Sequence, residues 1–159
     1  MVARLDGRST DRLIRLVRTD ADPFVRRMAA YALGNIGTPR TTRVLRDVLR
    51  DPDQPAAVRG MAAEQLVYKR AGIPELLAGL RDASPHVRFW SAYALSESRV
   101  KRALPELRRL AATDRRRIRG WWSIAREARW AMAVIEAGWT REAPDPMKPV
   151  KARGASGRR

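Results

Sequence analysis

Residues 20–37 read DADPFVRRMAAYALGNIG. The pattern returns as DQPAAVRGMAAEQLVYKR at 53–70 and as DASPHVRFWSAYALSESR at 82–99. Each copy carries Val-Arg, two variable residues and a run of small residues. Val25, Val58 and Val87 lie 33 and 29 residues apart, and Ile118 in IRGWWS continues the series 31 residues on. A period near 30 marks stacked supersecondary units, because one such unit cannot bury its apolar face alone. Within each copy the apolar positions have helical spacing. Val25, Ala29, Leu33 and Ile36 share one face, as do Val58, Ala62 and Leu66, and Val87, Ser91 and Leu95.

A shorter apolar helix precedes each copy, and its stripe is easily picked out. Leu13, Leu16 and Val17 form the first, Leu45, Val48 and Leu49 the second. Leu76, Leu77 and Leu80 form the third, and Leu104, Leu107 and Leu110 the fourth. Asp22-Pro23, Thr38-Pro39 and Ser84-Pro85 each set a capping side chain before a proline at the first helical position. The pattern predicts four helical hairpins over roughly 9–36, 39–70, 73–98 and 102–138. Small residues such as Ala29, Ala30, Ala62 and Ala63 allow close helix approach, and no strand pattern competes. The fold class expected is all-α, an α-α superhelix in which each pair buries one side against the next. Residues 1–139 form the repeat domain. The tail 140–159, with three prolines and no apolar periodicity, is expected to be disordered.

The chain has 159 residues and no cysteine, which excludes disulfides, thiolate metal sites and thiol catalysis. The start MVARLDGRST lacks the apolar run of a signal peptide, and no stretch is long enough to span a bilayer, so a cytoplasmic location is expected. Charge is the unusual property: 33 bases against 17 acids leave +16, and only Lys69, Lys101, Lys148 and Lys151 are lysines. Such a field attracts nucleic acid, anionic lipid or acidic protein surfaces without choosing among them.

On these residues the sequence resembles the HEAT-like repeat family, including the phycobilisome-lyase type of repeat, over about residues 9–137. The resemblance rests on an Asp ending the first helix, then Val-Arg opening the second, then small residues, Leu and Gly. Asp20 with Val25-Arg26 and Asp82 with Val87-Arg88 fit, and Asp51 with Val58-Arg59 fits after a two-residue insertion. Asp114 with Ile118-Arg119 is one residue short, and a second register aligns IAREARWAMAVIEAG with VRRMAAYALGNIG instead. An Asp at a helix end, five to eight residues before an Arg on the next helix, can reach its guanidinium as a bidentate pair. The resemblance implies that such residues form a ladder between repeats. Arg26, Arg59, Arg88 and Arg119 are therefore assigned to the scaffold.

Function is then expected on residues that differ from copy to copy. The resemblance implies that second helices line the concave face, with the positions two, three, six and ten after the Val turned outward. These are Arg27, Met28, Tyr31 and Asn35, then Gly60, Met61, Glu64 and Tyr68, then Phe89, Trp90, Tyr93 and Glu97. Trp121 and Trp122 follow in the fourth unit. The partner-binding set is Arg27, Tyr31, Tyr68, Phe89, Trp90, Tyr93 and Trp121. Between Arg99 and Arg119 nine bases face only Glu106 and Asp114, and DRRRIRGWW sets four arginines beside two tryptophans. Guanidinium groups beside aromatic rings suit phosphates and exposed bases, whereas a solvated loop with both tryptophans buried as an end cap is the competing reading. Trp130 and Trp139 are assigned to end-cap packing. Arg115, Arg116 and Arg117, with Lys148, Lys151 and Arg153 of the tail, are the candidate polyanion contacts.

No catalytic constellation emerges. His86 is the single histidine, so no His-rich metal site can assemble, and there is no Gly-rich phosphate loop or nucleophile elbow. HEAT-like deoxyhypusine hydroxylases use His-Glu pairs that are missing here. HEAT-like alkylpurine DNA glycosylases pair a basic groove with tryptophans and a catalytic Asp, and no Asp falls among the concave candidates. Nothing points to a bilin. Glu64 and Glu97 lie on different repeats with nothing in the sequence forcing them together. The expectation is a non-catalytic adaptor without metal or cofactor, binding an acidic protein partner through its concave aromatic face. The alternative is a solenoid that binds DNA or RNA through Arg99–Arg119 and the tail, and the one enzymatic alternative is an alkylpurine DNA glycosylase-like protein, for which the chain supplies Trp90, Trp121 and arginines. No membrane span is expected, and the pattern assigns no oligomeric state.

Overall fold

The computed structural model describes residues 7–67 and 71–137. Within them the chain forms eight α-helices in four antiparallel pairs. These are α1 (Gly7–Thr19) with α2 (Pro23–Ile36), α3 (Pro39–Arg50) with α4 (Ala56–Gln65), and α5 (Ile73–Gly79) with α6 (Pro85–Glu97). The last pair is α7 (Leu104–Thr113) with α8 (Ile124–Ala137), and a 3-10 turn at Lys101–Ala103 leads into α7. The expected all-α solenoid of four hairpins is the observed architecture. Tyr68, Lys69 and Arg70, Trp139 and the whole expected tail lie outside the described residues.

Local chemistry starts and stops these helices. Asp22 accepts from the Phe24 N–H at 2.8 Å ahead of Pro23, and Thr38 accepts from the Thr41 N–H at 3.2 Å ahead of Pro39. Gly37, at φ +62, closes α2 by returning its N–H to the Leu33 carbonyl. At α6 the expectation fails in one detail. The Ser84 hydroxyl makes no capping bond, and Asp82 instead takes the Ser84 N–H at 2.8 Å.

The second helices α2, α4, α6 and α8 pack along one another, while the first helices touch more lightly. The tighter packing is thus on the side of the second helices, the side that the resemblance assigns to the inner face. Their small residues permit the approach. A Cβ on Gly34 would stand 2.4 Å from the Gln65 side chain, and one on Gly60 would stand 2.9 Å from Trp90 Cδ1. A single apolar core runs through the layers, from Val17 and Leu33 through Leu49, Leu76 and Leu95 to Leu110 and Ile135.

Polar rungs tie the layers, in a different pairing from that expected. Each arginine reaches forward to the next hairpin for its side-chain partner and back to its own first helix only for a carbonyl. Arg59 donates from Nη1 to Asp82 Oδ1 at 3.2 Å and from Nη2 to Asp82 Oδ2, with Nε on the Leu49 carbonyl at 3.0 Å. Arg88 bonds Asp114 Oδ2 at 2.7 Å and also caps the Asp82 and Ala83 carbonyls. Arg26 takes the Asp20 carbonyl and reaches Gln54 Oε1 at 3.3 Å, so an amide stands where the later rungs use a carboxylate. Asp20, Asp51, Asp82 and Asp114 each accept from the N–H two residues on, at 2.9, 3.0, 2.8 and 3.2 Å, and Asp82 and Asp114 also meet the arginine of the preceding layer. Arg119 joins no rung; it is exposed in the segment 114–123. Helix α8 begins at Ile124, so the second register is the one the chain adopts and Ile118-Arg119 belongs to the connection.

Candidate functional site

The α7–α8 connection decides the shape of the inner face. It is an ordered hairpin, pinned by Asp114, which is buried at its root. Ala125 donates to the Asp114 carbonyl at 2.8 Å, Ile124 to the Arg116 carbonyl at 2.9 Å, and an antiparallel bridge joins Arg117 to Ser123. Burial would raise the Asp114 carboxyl, but hydrogen bonds from Arg116 and Arg88 outweigh it and hold the group below its usual range. Ile118 plugs inward, and Gly120, at φ +84, turns the chain so that Trp121 projects.

Trp121 is 42% exposed, yet it is held on two sides. Its ring meets Trp90 at 5.1 Å and 80°, and Trp122 at 5.4 Å and 80°. Trp90 in turn stands edge-on to Tyr93 at 5.7 Å. Beneath them Phe89 touches Trp90, Trp121 and Trp122 at 5.2, 5.6 and 6.2 Å. These tilted and edge-to-face arrangements satisfy the ring quadrupoles and fix the cluster as one body. Phe89, expected on the surface, is instead the floor of the cluster at 1% exposure, because position two after Val87 lies under the hairpin tryptophans.

A cavity of about 310 Å³ opens between α4, α6, α8 and this hairpin. Its walls are Trp90, Tyr93, Trp121, Trp122 and Trp130. Three carboxylates complete the lining, Glu64 of α4, Glu97 of α6 and Glu127 of α8. The convergence of Glu64 and Glu97 corrects the expectation that nothing brings them together. Trp130, expected as end-cap packing, is part of the wall. Glu127 is buried, with Oε2 accepting from Trp122 Nε1 at 2.8 Å and Oε1 lacking a hydrogen-bond partner among the described residues. Burial pushes its carboxyl up to about 7; the Trp122 bond opposes this and the nearby Glu97 charge adds to it. Burial also raises Glu64, with Arg27 pulling the other way. No group of carboxylates, histidines or cysteines among the described residues could hold a metal ion.

The remaining candidates separate into two groups. On α2, Met28 and Tyr31 are exposed, and Phe24 joins them at helical spacing to make an apolar stripe. Arg27 is half-buried, its guanidinium 5.4 Å from the Phe24 ring centre. Gly60 is buried as the seat for Trp90, not presented to solvent. Arg115, Arg116 and Arg117 are all exposed on the hairpin, although Arg116 is paired with Asp114 at 3.2 Å. Arg117 and Arg119 rim a shallow basin with Trp121, Trp122 and Arg126. Tyr68, Lys148, Lys151 and Arg153 lie outside the described residues. The residues missed from sequence are Glu127 and Trp130. Their signal was the second register of the fourth repeat, which places both on the inner helix.

A family model of HEAT repeats matches residues 2–66 and again 53–125. No curated protein matches the chain. The family match stops as α8 begins, before Glu127 and Trp130. No helix among the described residues is long and apolar enough to cross a membrane.

Proposed function

The chain belongs to the HEAT-repeat family, and from that premise we propose that it is a non-catalytic adaptor that holds a protein partner along the inner face of its second helices. The observation that carries this is Trp121, a large ring nearly half exposed yet clamped by two neighbouring indoles. A pre-positioned aromatic anchor loses little freedom on binding, and such anchors carry a disproportionate share of interface energy. The stripe Phe24, Met28 and Tyr31 offers a second apolar contact at the other end of the inner face. Grouped exposed apolar residues mark interaction surfaces more than isolated ones do. The net charge of +16 and the arginines of the hairpin favour an acidic partner, by speeding encounter more than by adding affinity.

Affinity capture from lysate, with and without nuclease and at physiological ionic strength, tests the reading. A protein retained after nuclease by the wild type, and lost with Tyr31→Ala plus Trp121→Ala, supports it. Retention that disappears with nuclease, or ignores both substitutions, overturns it.

A second reading is favoured by one feature of the hairpin, the exposure of Arg115, Arg117 and Arg119, the last two rimming a basin with Trp121. That arrangement suits a single-stranded polyanion, with guanidinium on phosphate and an indole available for stacking.

A further inference from the structure

One hollow of this basic protein runs against its charge. The basin on the hairpin is lined by Arg117, Arg119 and Arg126, and the hollow at the end of α7 by Arg109, Arg115 and Arg116. The aromatic cavity has three carboxylates and no basic residue in its lining, in a chain with twice as many bases as acids. Indole and phenol faces present negative potential, and a bound cation favours the ionised form of the neighbouring carboxyl groups, so both components of this wall favour cations over anions. A metal ion does not suit it, because the carboxylates are not grouped closely enough to ligate one. Rings in place of oxygen donors favour a bulky, weakly hydrated cation.

We propose that the cavity between α4, α6, α8 and the 114–123 hairpin binds an alkylammonium head group, with Trp90, Trp121 and Trp130 against its methyl or methylene surface and Glu97 and Glu127 balancing its charge. Glu127 is suited to this. One oxygen is fixed by the Trp122 N–H, while the other, buried and without a hydrogen-bond partner, is left to face a cation's charge. Arg27 already acts on Glu64, which leaves Glu97 and Glu127 as the carboxyl groups that answer the ligand's charge, Glu127 by ionising as the cation binds. The head group can belong to a free small molecule or to an alkylated lysine of a bound protein, and the chemistry recognised is the same.

The test titrates the full chain with choline and with its uncharged isostere, in which carbon replaces the quaternary nitrogen, followed by tryptophan fluorescence and indole N–H chemical shifts. Choline should bind saturably and the isostere about tenfold more weakly or worse. Glu127→Gln and Glu97→Gln should each weaken choline roughly fivefold to tenfold without changing the isostere. The half-buried Glu97 supplies an independent variant should Glu127→Gln alter packing, which melting curves would reveal. A peptide carrying trimethyllysine that binds tighter than choline, and loses this when the residue is leucine, assigns the site to a protein side chain. Peptides no tighter than choline assign it to a small molecule. Equal affinity for choline and isostere, no saturable binding of choline, or indifference to both glutamate substitutions overturns the proposal. The inference goes beyond the adaptor reading and fails separately from it. Partner capture that survives Glu127→Gln while choline binding is lost keeps both, and capture lost with Tyr31→Ala at unchanged choline affinity concerns the adaptor alone.

Discussion

Arg88 on α6 and Asp114 at the end of α7 meet at 2.7 Å with both side chains almost wholly withdrawn from solvent, so the third and fourth layers are joined by a buried ion pair. Asp114 also roots the hairpin that carries Trp121. One carboxylate therefore serves the stack and the groove together.

Removing that carboxylate strands a buried guanidinium. Asp114→Ala should cost about 3–5 kcal/mol, read as a fall in the urea midpoint, whereas Asp82→Ala should cost less because the Arg59–Asp82 pair is partly exposed. The pH dependence has a definite sign. Asp114 is held below its ordinary value in the folded chain, so its contribution is complete above the unfolded carboxylate range and is lost as pH falls through the folded value. Asp114→Asn should give a flatter stability profile below about pH 4 than the wild type.

Glu127 has the opposite sign. Its carboxyl is raised to about 7 from 4.5, so the folded state holds a proton that the unfolded chain has already released, and stability declines as pH rises between these values. The burial cost at alkaline pH is roughly 3 kcal/mol. Glu127→Gln keeps the acceptor for Trp122 and removes the charge. Its melting temperature should exceed the wild type at pH 8 and match it near pH 4; an unchanged difference across that range would show that Glu127 is not buried as described.

Gly60 allows Trp90 to lie against α4, with His86 Cβ only 3.3 Å from where a Cβ would stand. Gly60→Ala should displace Trp90, costing about 1–3 kcal/mol and altering the near-ultraviolet circular dichroism of the coupled indoles. Gly120→Ala meets open space but a strained φ of +84°. It should cost about 1 kcal/mol and chiefly change the accessibility of Trp121 to quenchers.

If the hairpin grips a polyanion through about six phosphates, the slope of log affinity against log salt should be about −4 to −5. Arg115→Ser with Arg117→Ser should then reduce it by about 1.5 to 2, measured by fluorescence anisotropy on single-stranded oligonucleotides. Arg116 is best left in place, since it braces Asp114. Retention that is insensitive to salt and to both substitutions excludes this mode.

The layers were legible because period and small-residue spacing are local properties of Val25, Val58 and Val87 and the residues that follow them. The rungs were legible as residue types but not as partners. Asp20, Asp51 and Asp82 look paired with the arginine that follows them in the chain, and only the stacking of one layer on the next sets Asp82 against Arg59 and Asp114 against Arg88. Phe89 and Trp90 are adjacent in sequence and differ in burial because α6 sets one under the hairpin tryptophans and the other over Gly60. The cavity was out of reach for the same reason. Glu64, Glu97 and Glu127 come from three helices, and no spacing along the chain records the packing that gathers them.

The ten residues from Asp114 to Ser123 work as a latch. One end is bolted into the joint between the last two layers, and the free end carries the indole that any visitor to the groove would grasp. If the groove is filled as proposed, occupancy and cohesion are linked at this end of the coil. Amide protons of α7 and α8 should exchange more slowly whenever the groove is filled, even though neither helix axis has moved.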